Sequence, residues 1–269
     1  MRVMDETFDH WICRPMGRRL AQTLVGTRIT ADQVTGVAAL FGTLAGVGFA
    51  FPWPGPAIGA GSLFLMMVLD CTDGEIARMR GGGSWRGRVL DGMADLATAF
   101  SVHLGMLLYL VRQQPLVRGY ELNAWVLFFV ALFAGASMAW NSAVVDGAKQ
   151  RLRDRTVDRE LGRYSHEPKT LWDRFLYWFL LHYVDRIDRA AAPCHGSYTS
   201  YRVLQWTGPT HHHLGMVIAG LAVGAFPLAP LWYFLISLGP ANLLVAGALA
   251  LARMWTSSDD GATIARNKH

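Results

Sequence analysis

Residues 70–95 read DCTDGEIARMRGGGSWRGRVLDGMAD, setting Asp70, Asp73, Asp91 and Asp95 at the facing ends of two apolar runs with a short Arg- and Gly-rich crossing between them. Carboxylates are costly inside a membrane segment, so there they face a cavity, pair with a cation or carry function. On a helix, Asp70 and Asp73 are i,i+3 neighbours and Asp91 and Asp95 are i,i+4 neighbours, so each pair shares a face. If the two helices are antiparallel neighbours, all these carboxylates converge on one cavity. Their charges then repel unless cations sit among them.

The flanking runs, and several others, have the roughly 20 residues an α-helix needs to cross the hydrocarbon core. The candidate spans are Val34–Phe51, Ile58–Asp73, Asp91–Val111, Trp125–Val145, His212–Leu228 and Trp232–Met254. The chain is 52% hydrophobic, has 10 Trp and is only 17% charged, and these runs are continuous rather than alternating. They therefore read as helices and not as barrel strands. The expected fold is an all-α integral membrane protein with six transmembrane helices.

Orientation follows from Lys and Arg, which concentrate in short cytoplasmic loops. Arg14, Arg18, Arg19 and Arg28 precede the first span, and Arg78, Arg80, Arg86 and Arg88 lie between the second and third. The Pro52–Pro56 and Phe226–Leu231 connections carry no charge, whereas Lys149–Arg202 and the tail with Arg253, Arg266 and Lys268 are basic. Both termini and the carboxylate stretch are expected on the cytoplasmic side of a bacterial cytoplasmic membrane, with Arg112–Asn123 the one contrary loop. The net charge of +5 then reflects topology and anionic headgroups. No aromatic-basic module for nucleic acid is visible. The first 30 residues lack a compact apolar region before a small-residue cleavage site, so no cleavable leader is expected. Cys13, Cys71 and Cys194 all fall on the side where thiols stay reduced.

Residues 1–30 form an expected surface segment. Within it Phe8, Trp11, Ile12 and Met16 lie near one helical face and Arg14, Arg18 and Arg19 near the other, the pattern of an amphipathic helix on the membrane surface. Residues 31–255 form the six-helix domain, with 147–208 as a cytoplasmic interfacial insertion and 256–269 as a cytoplasmic tail. Thr30-Ala31-Asp32-Gln33 supplies N-capping chemistry for the first span. Trp172–Tyr183 reads as a second interfacial helix. His103 reads as an interhelix hydrogen bond, and the small residues around Gly135 and Ala139 as a packing surface within the chain or for a homodimer. His211-His212-His213 point in different directions on a helix, so a headgroup or pocket contact by one of them is favoured over a metal site.

Oxygen-only ligation suits hard cations, and Mg²⁺ in particular is shared between a few carboxylates and substrate phosphates. The natural ligand of the Asp cluster is therefore a diphosphate. Gly74 and Ala77 keep the helix surface clear, Gly87 relieves the crossing, and Arg78 can pair with phosphate or lock a carboxylate. The plainer reading has the Asp residues capping helix ends and pairing with neighbouring Arg. It suits two of them better than it suits Asp70, Asp73, Asp91 and Asp95 together.

The pattern D-x2-D-G-x2-A-R-x8-G-x3-D-x3-D, filled here by Asp70, Asp73, Gly74, Ala77, Arg78, Gly87, Asp91 and Asp95, resembles the signature of the CDP-alcohol phosphotransferases. The likeness is close over residues 27–95 and loose over the rest. Upstream the chain departs from it, reading Ala31-Asp32-Gln33-Val34-Thr35 where family members often have Pro-Asn-x-Val-Thr. The resemblance implies transfer of a substituted phosphoryl group, such as phosphatidyl, from a CDP-alcohol donor such as CDP-diacylglycerol to the hydroxyl of a polar alcohol, releasing CMP. By the same resemblance two divalent cations, Mg²⁺ or Mn²⁺, are held by Asp70, Asp73 and Asp91, with Asp95 a further ligand and also the general base. Gly74, Ala77, Arg78 and Gly87, with Asp73 and Asp32, line the CDP site, and a homodimer is common. Three rivals stay open: headgroup transfer from a soluble CDP-alcohol to a lipid hydroxyl, a membrane prenyltransferase, and a transporter using the Asp cluster as an ion site. No motif for the extra phosphate of inositol phosphate is evident near Asn141, Asp146 and Lys149.

Overall fold

The computed structural model describes residues 6–82, 85–113, 116–117, 120–156, 170–179 and 198–248. Cys194, residues 180–183, the end of the sixth expected span and the 256–269 tail lie outside the described residues. A π-helical turn, Asp9–Cys13, leads into α1 (Arg14–Leu24), followed by α2 (Ala31–Phe49), α3 (Gly55–Met79), α4 (Trp85–Gln113), α5 (Ala124–Thr156) and α6 (Leu171–Phe179). Then come α7 (Tyr198–Leu204), a 3-10 turn Gln205–Thr207, α8 (Pro209–Ala222) and α9 (Ala229–Leu238), beyond which residues 240–248 are again helical. Strand pairing among the described residues is confined to Leu116–Val117 against Tyr120–Glu121.

Among the described residues four stretches are long and apolar enough to cross a membrane: Gly55–Met79, Val89–Gln113, Ala124–Lys149 and Ala229–Ala248. The chain is thus a helical integral membrane protein, with four candidate spans among the described residues where six are expected. Val34–Phe51 falls mainly on α2, which opens on Asp32 and Gln33 and is diluted by four glycines. His212–Leu228 falls mainly on α8, which has 14 residues. At about 1.5 Å per residue that is roughly 21 Å, short of the hydrocarbon core.

Helix α2 is the scaffold on which α3 and α4 are both laid. Its start is a reciprocal capping box, with Thr30 Oγ1 accepting from Gln33 N at 3.2 Å and Gln33 Oε1 accepting from Thr30 N at 3.0 Å. Gly42 and Gly46 then admit α4 at contact distance, since a Cβ on the first would meet Thr98 and on the second the backbone carbonyl of Ser101. Helix α3 approaches the other side of α2, where Gly48 faces Gly59. Small residues permit such approach between membrane helices. Outward-facing Leu40, Leu44 and Val47 of α2 and Phe129 and Phe133 of α5 are exposed, as suits side chains meeting lipid tails.

Helix α1 lies across α3 through Cys13, Gly17 and Ala21, all buried and spaced four apart. Gly17 rests on the backbone of Cys71 and Thr72. Trp11, Ile12 and Met16 point away and are exposed, whereas Phe8, expected to share their face, packs against the core. Helix α6 is capped by Thr170, whose Oγ1 accepts from Asp173 N at 3.1 Å. It docks by Leu176 against Val89 of α4, leaving a stacked row of Trp172, Phe175 and Trp178 outside.

Candidate active site

Oxygens of Asp70, Asp73 and Asp91 all lie within 4.8 Å of one another. Asp70 and Asp73 come from the last turns of α3 and Asp91 from the second turn of α4, so the pairing expected from their spacing is realised across two helices. Asp73 is buried and anchored from α2: Thr35 Oγ1 donates to its Oδ2 at 2.5 Å. Asp95, one turn deeper on α4, shares a cavity of about 50 Å³ with Asp70. Oxygen donors at this separation, on rigid elements, fit a hard divalent cation, which would neutralise carboxylates that otherwise repel. Asp32 sits exposed in the first turn of α2, near enough for its charge to act on Asp73.

The crossing after Asp73 is a tight reversal. Gly81 and Gly82 take φ of 99° and 125°, a region that favours glycine. Gly82 N donates to Ala77 O at 2.9 Å and closes the helix end. Arg80, a candidate partner for the carboxylates, is used otherwise: Nη1 donates to Ile29 O at 2.7 Å, and Nη2 to Thr27 O at 3.0 Å and Val25 O at 3.1 Å. It ties the α1–α2 turn to the end of α3. Arg86 is also committed elsewhere, with Nη2 2.8 Å from Asp173 Oδ1.

No local spacing in the sequence marks Glu75. Buried at 5% exposure, it draws Arg78 to 3.0 Å, Arg18 to 3.6 Å and Arg14 to 3.8 Å. Arg78 is thereby swung over Gly74, where a Cβ would stand 3.4 Å from its Nη1. Gly74 and Arg78 thus occupy one patch beside Asp73, with Ala77 and Gly87 half-buried on the two helices that bound it. Arg78, beside Gly74 and able to pair with phosphate, brings a cation to this edge of the cleft, while Arg14 and Arg18 gather with it on Glu75.

The opposite side comes from the N-terminal turn and α8. Asp9, Thr210 and His213 line the cavity with Asp70 and Asp95, and Thr210 Oγ1 donates to Asp9 Oδ2 at 2.8 Å. The three adjacent histidines go separate ways, as helix geometry requires. His211 Nδ1 meets buried Glu6 at 3.0 Å. His212 faces Tyr233, with 3.5 Å between Nδ1 and the hydroxyl, beside an apolar groove of about 360 Å³ between α8 and α9. His103 corrects its expected role: Nδ1–H donates within its own helix to Ala99 O at 2.7 Å, and its contact with α9 is stacking on Phe234 at 5.6 Å. Ser137, in the small-residue stretch, donates to Ser237 O at 2.7 Å and so serves packing inside the chain.

Residues 28–156 match the CDP-alcohol phosphatidyltransferase family, a range that takes in all the carboxylates of the cleft except Asp9. The phosphatidylinositol phosphate synthase of Mycobacterium bovis (strain BCG / Pasteur 1173P2) is 35% identical over 104 residues, covering 36% of this chain and 46% of that protein. The phosphatidylinositol phosphate synthase of Mycobacterium tuberculosis (strain CDC 1551 / Oshkosh) is similar to the same extent. The chain therefore spans under half the length of these curated relatives.

Proposed function

We propose that this protein is a phospholipid-forming transferase that moves a substituted phosphate, phosphatidyl in the first instance, from a CDP-alcohol to a polar alcohol and releases CMP. The observation that carries the reading is the convergence of Asp70, Asp73 and Asp91 within 4.8 Å inside a segment matching the CDP-alcohol phosphatidyltransferase family. CDP-diacylglycerol is the donor this favours, in keeping with the names of the relatives.

Asp70, Asp73 and Asp91, with Asp95 at the margin, are the residues to hold two divalent cations, Mg²⁺ or Mn²⁺. Bound there, the cations would supply charge neutralisation for the diphosphate and for departing CMP. Thr35 keeps the Asp73 carboxylate oriented by its hydrogen bond. Gly74, Ala77 and Gly87 leave room for the CDP group against the helix backbones, Asp32 contributes at the nucleotide end, and Arg78, steadied by Glu75, offers its remaining donors to phosphate. Asp95 accepts the proton of the acceptor hydroxyl. The acceptor oxygen bonds to the phosphorus carrying the alcohol group, and the bond from that phosphorus to the CMP oxygen breaks.

The catalytic unit is residues 31–255, with six crossings if α2 and α8 are counted with the longer helices, and cytoplasmic termini in a bacterial inner membrane. Residues 1–30 lie along the membrane surface through Trp11, Ile12 and Met16, and a homodimer is the working assembly. The test is a donor and acceptor panel with purified protein and Mg²⁺. CDP-diacylglycerol with alcohols should yield CMP and a new phospholipid detected by mass spectrometry. CMP formed only from CDP-choline or CDP-ethanolamine with diacylglycerol would reverse donor and acceptor, and solute flux in liposomes without CMP would mark a transporter.

A further inference from the structure

Helix α6 lies beyond the family match, which ends at residue 156, and no step of the transfer uses it. It has 9 residues, fewer than the roughly 12–15 an isolated helix needs in water, so its stability comes from what it touches. Asp173 supplies two of those contacts. Its Oδ2 accepts from Thr170 N at 3.1 Å while Thr170 Oγ1 accepts from Asp173 N at 3.1 Å, closing the first turn. The same carboxylate holds Arg86 of α4, whose Nη2 stands 2.8 Å from both of its oxygens. Leu176, fully buried, packs on Val89 one turn further along α4.

At 3.6 residues per turn Asp173 and Leu176 share one side of α6, and Leu171, Trp172, Phe175 and Trp178 fall on the other within an arc of about 120°. Those four are 83%, 54%, 43% and 55% exposed. Scattered exposed apolar side chains are ordinary, whereas a contiguous set of them marks an interaction surface. Exposed Arg174 stands at the edge of the arc.

Depth decides which partner covers this surface. Arg86 and Arg88 precede Val89 in the sequence, and the stretch of α4 apolar enough to cross a membrane starts at Val89. A helix bonded to Arg86 and packed on Val89 is therefore placed where headgroups give way to hydrocarbon. Trp is enriched at that level, where its ring meets both media, and a flanking Arg can keep its charge among the headgroups. We propose that Leu171, Trp172, Phe175 and Trp178 form a docking surface for bilayer phospholipid, with the rings seated at the top of the acyl chains and Arg174 at the headgroups. The segment that follows the family domain thus returns to the membrane, at the end of α4 that carries Asp91.

The test uses the full chain in phospholipid nanodiscs. Subtracting the Trp emission of a Trp172→Phe, Trp178→Phe double variant from that of wild type isolates the two rings. That difference should fall at least about twofold when the phospholipid is brominated near the top of its acyl chains. Benzoylphenylalanine in place of Phe175 should crosslink to phospholipid on irradiation, as read by mass spectrometry. Phe175→Glu should speed amide exchange across residues 171–179 at least about tenfold, whereas Phe175→Leu should leave it unchanged; slow exchange in α2 and α3 of both variants verifies that they are folded. A difference emission unmoved by bromine, a crosslink to a second copy of the chain in place of lipid, or equal α6 exchange in Phe175→Glu and Phe175→Leu overturns the proposal. None of these readouts requires CMP release, so their outcome is separable from that of the transferase reading.

Discussion

Replacing Gly46 by Ala tests whether α2 sets the geometry of the cleft. The new Cβ would stand 2.7 Å from Ser101 Cβ and closer still to the Ser101 carbonyl, where ordinary contact begins at 3.4 Å. The shortfall is about 0.7 Å at the Ser101 Cβ and larger at its carbonyl, and a helix carbonyl cannot rotate away, so the cost belongs at the upper end of overpacking, about 3 kcal/mol. Alanine returns up to about 1 kcal/mol of helix propensity, leaving a net loss near 2 kcal/mol. For a chain of this size each kcal/mol lowers Tm by about 2–4 °C, so unfolding followed by Trp fluorescence in detergent should drop by roughly 4–8 °C. The site should suffer as well. Asp73 is tied to α2 through Thr35 while Asp91 and Asp95 ride on α4, so parting the helices separates the ligand sets. Displacements approaching 1 Å at reacting groups cost up to about a hundredfold in rate, and kcat/KM for CMP release should fall at least about tenfold. Gly61→Ala is the control, because a Cβ there meets nothing within 4 Å; its Tm should hold or rise slightly. Equal Tm values for the two variants, or wild-type turnover in Gly46→Ala, would refute the reasoning.

Thr35→Val removes the 2.5 Å hydrogen bond to Asp73 and should raise the Mg²⁺ concentration for half-maximal activity by about ten- to a hundredfold; an unchanged metal titration would count against an orienting role. Arg80→Ala frees the carbonyls of Val25, Thr27 and Ile29. The group is exposed, so the loss should be about 1 kcal/mol, seen as a Tm drop of about 2–4 °C with little change in turnover. Glu6, outside the membrane helices, has its pKa raised above 4.5 by burial, against the lowering effect of its bond to His211. A raised carboxyl pKa favours the folded state at low pH and loses that contribution as pH climbs through the folded value. The Tm of wild type relative to Glu6→Gln should therefore decline as pH rises from 4.5; a rising difference would reverse the assignment.

The sequence displays what is local and conceals what is assembled. Asp70 with Asp73 and Asp91 with Asp95 announce themselves by helical spacing, and Thr30 with Gln33 by capping-box spacing, because both partners lie within a turn. Glu75 stands between residues of the signature yet faces the opposite way, and its partners Arg14 and Arg18 come from a helix nearly 60 residues earlier. Asp9 and Thr210 meet across 201 positions, and no local pattern predicts that. Large apolar residues mark one face of the π-turn and α1, but in a helix packed on another the contacting side is the small one, here Cys13, Gly17 and Ala21 at four-residue spacing. Thr35 directly follows Val34 in the stretch that corresponds to Pro-Asn-x-Val-Thr, so its place is legible as well.

The central claim is that the Asp70–Asp95 cleft is a metal-dependent site for transfer from a CDP-alcohol. It is tested most directly by CMP release from CDP-diacylglycerol on addition of an accepted alcohol, in wild type, Asp91→Asn and Asp95→Asn, each with Mg²⁺ and with EDTA. CMP should form only in the wild type with Mg²⁺ and fall to background in the other arms. Full turnover in Asp91→Asn and Asp95→Asn, or in wild type with EDTA, would contradict it.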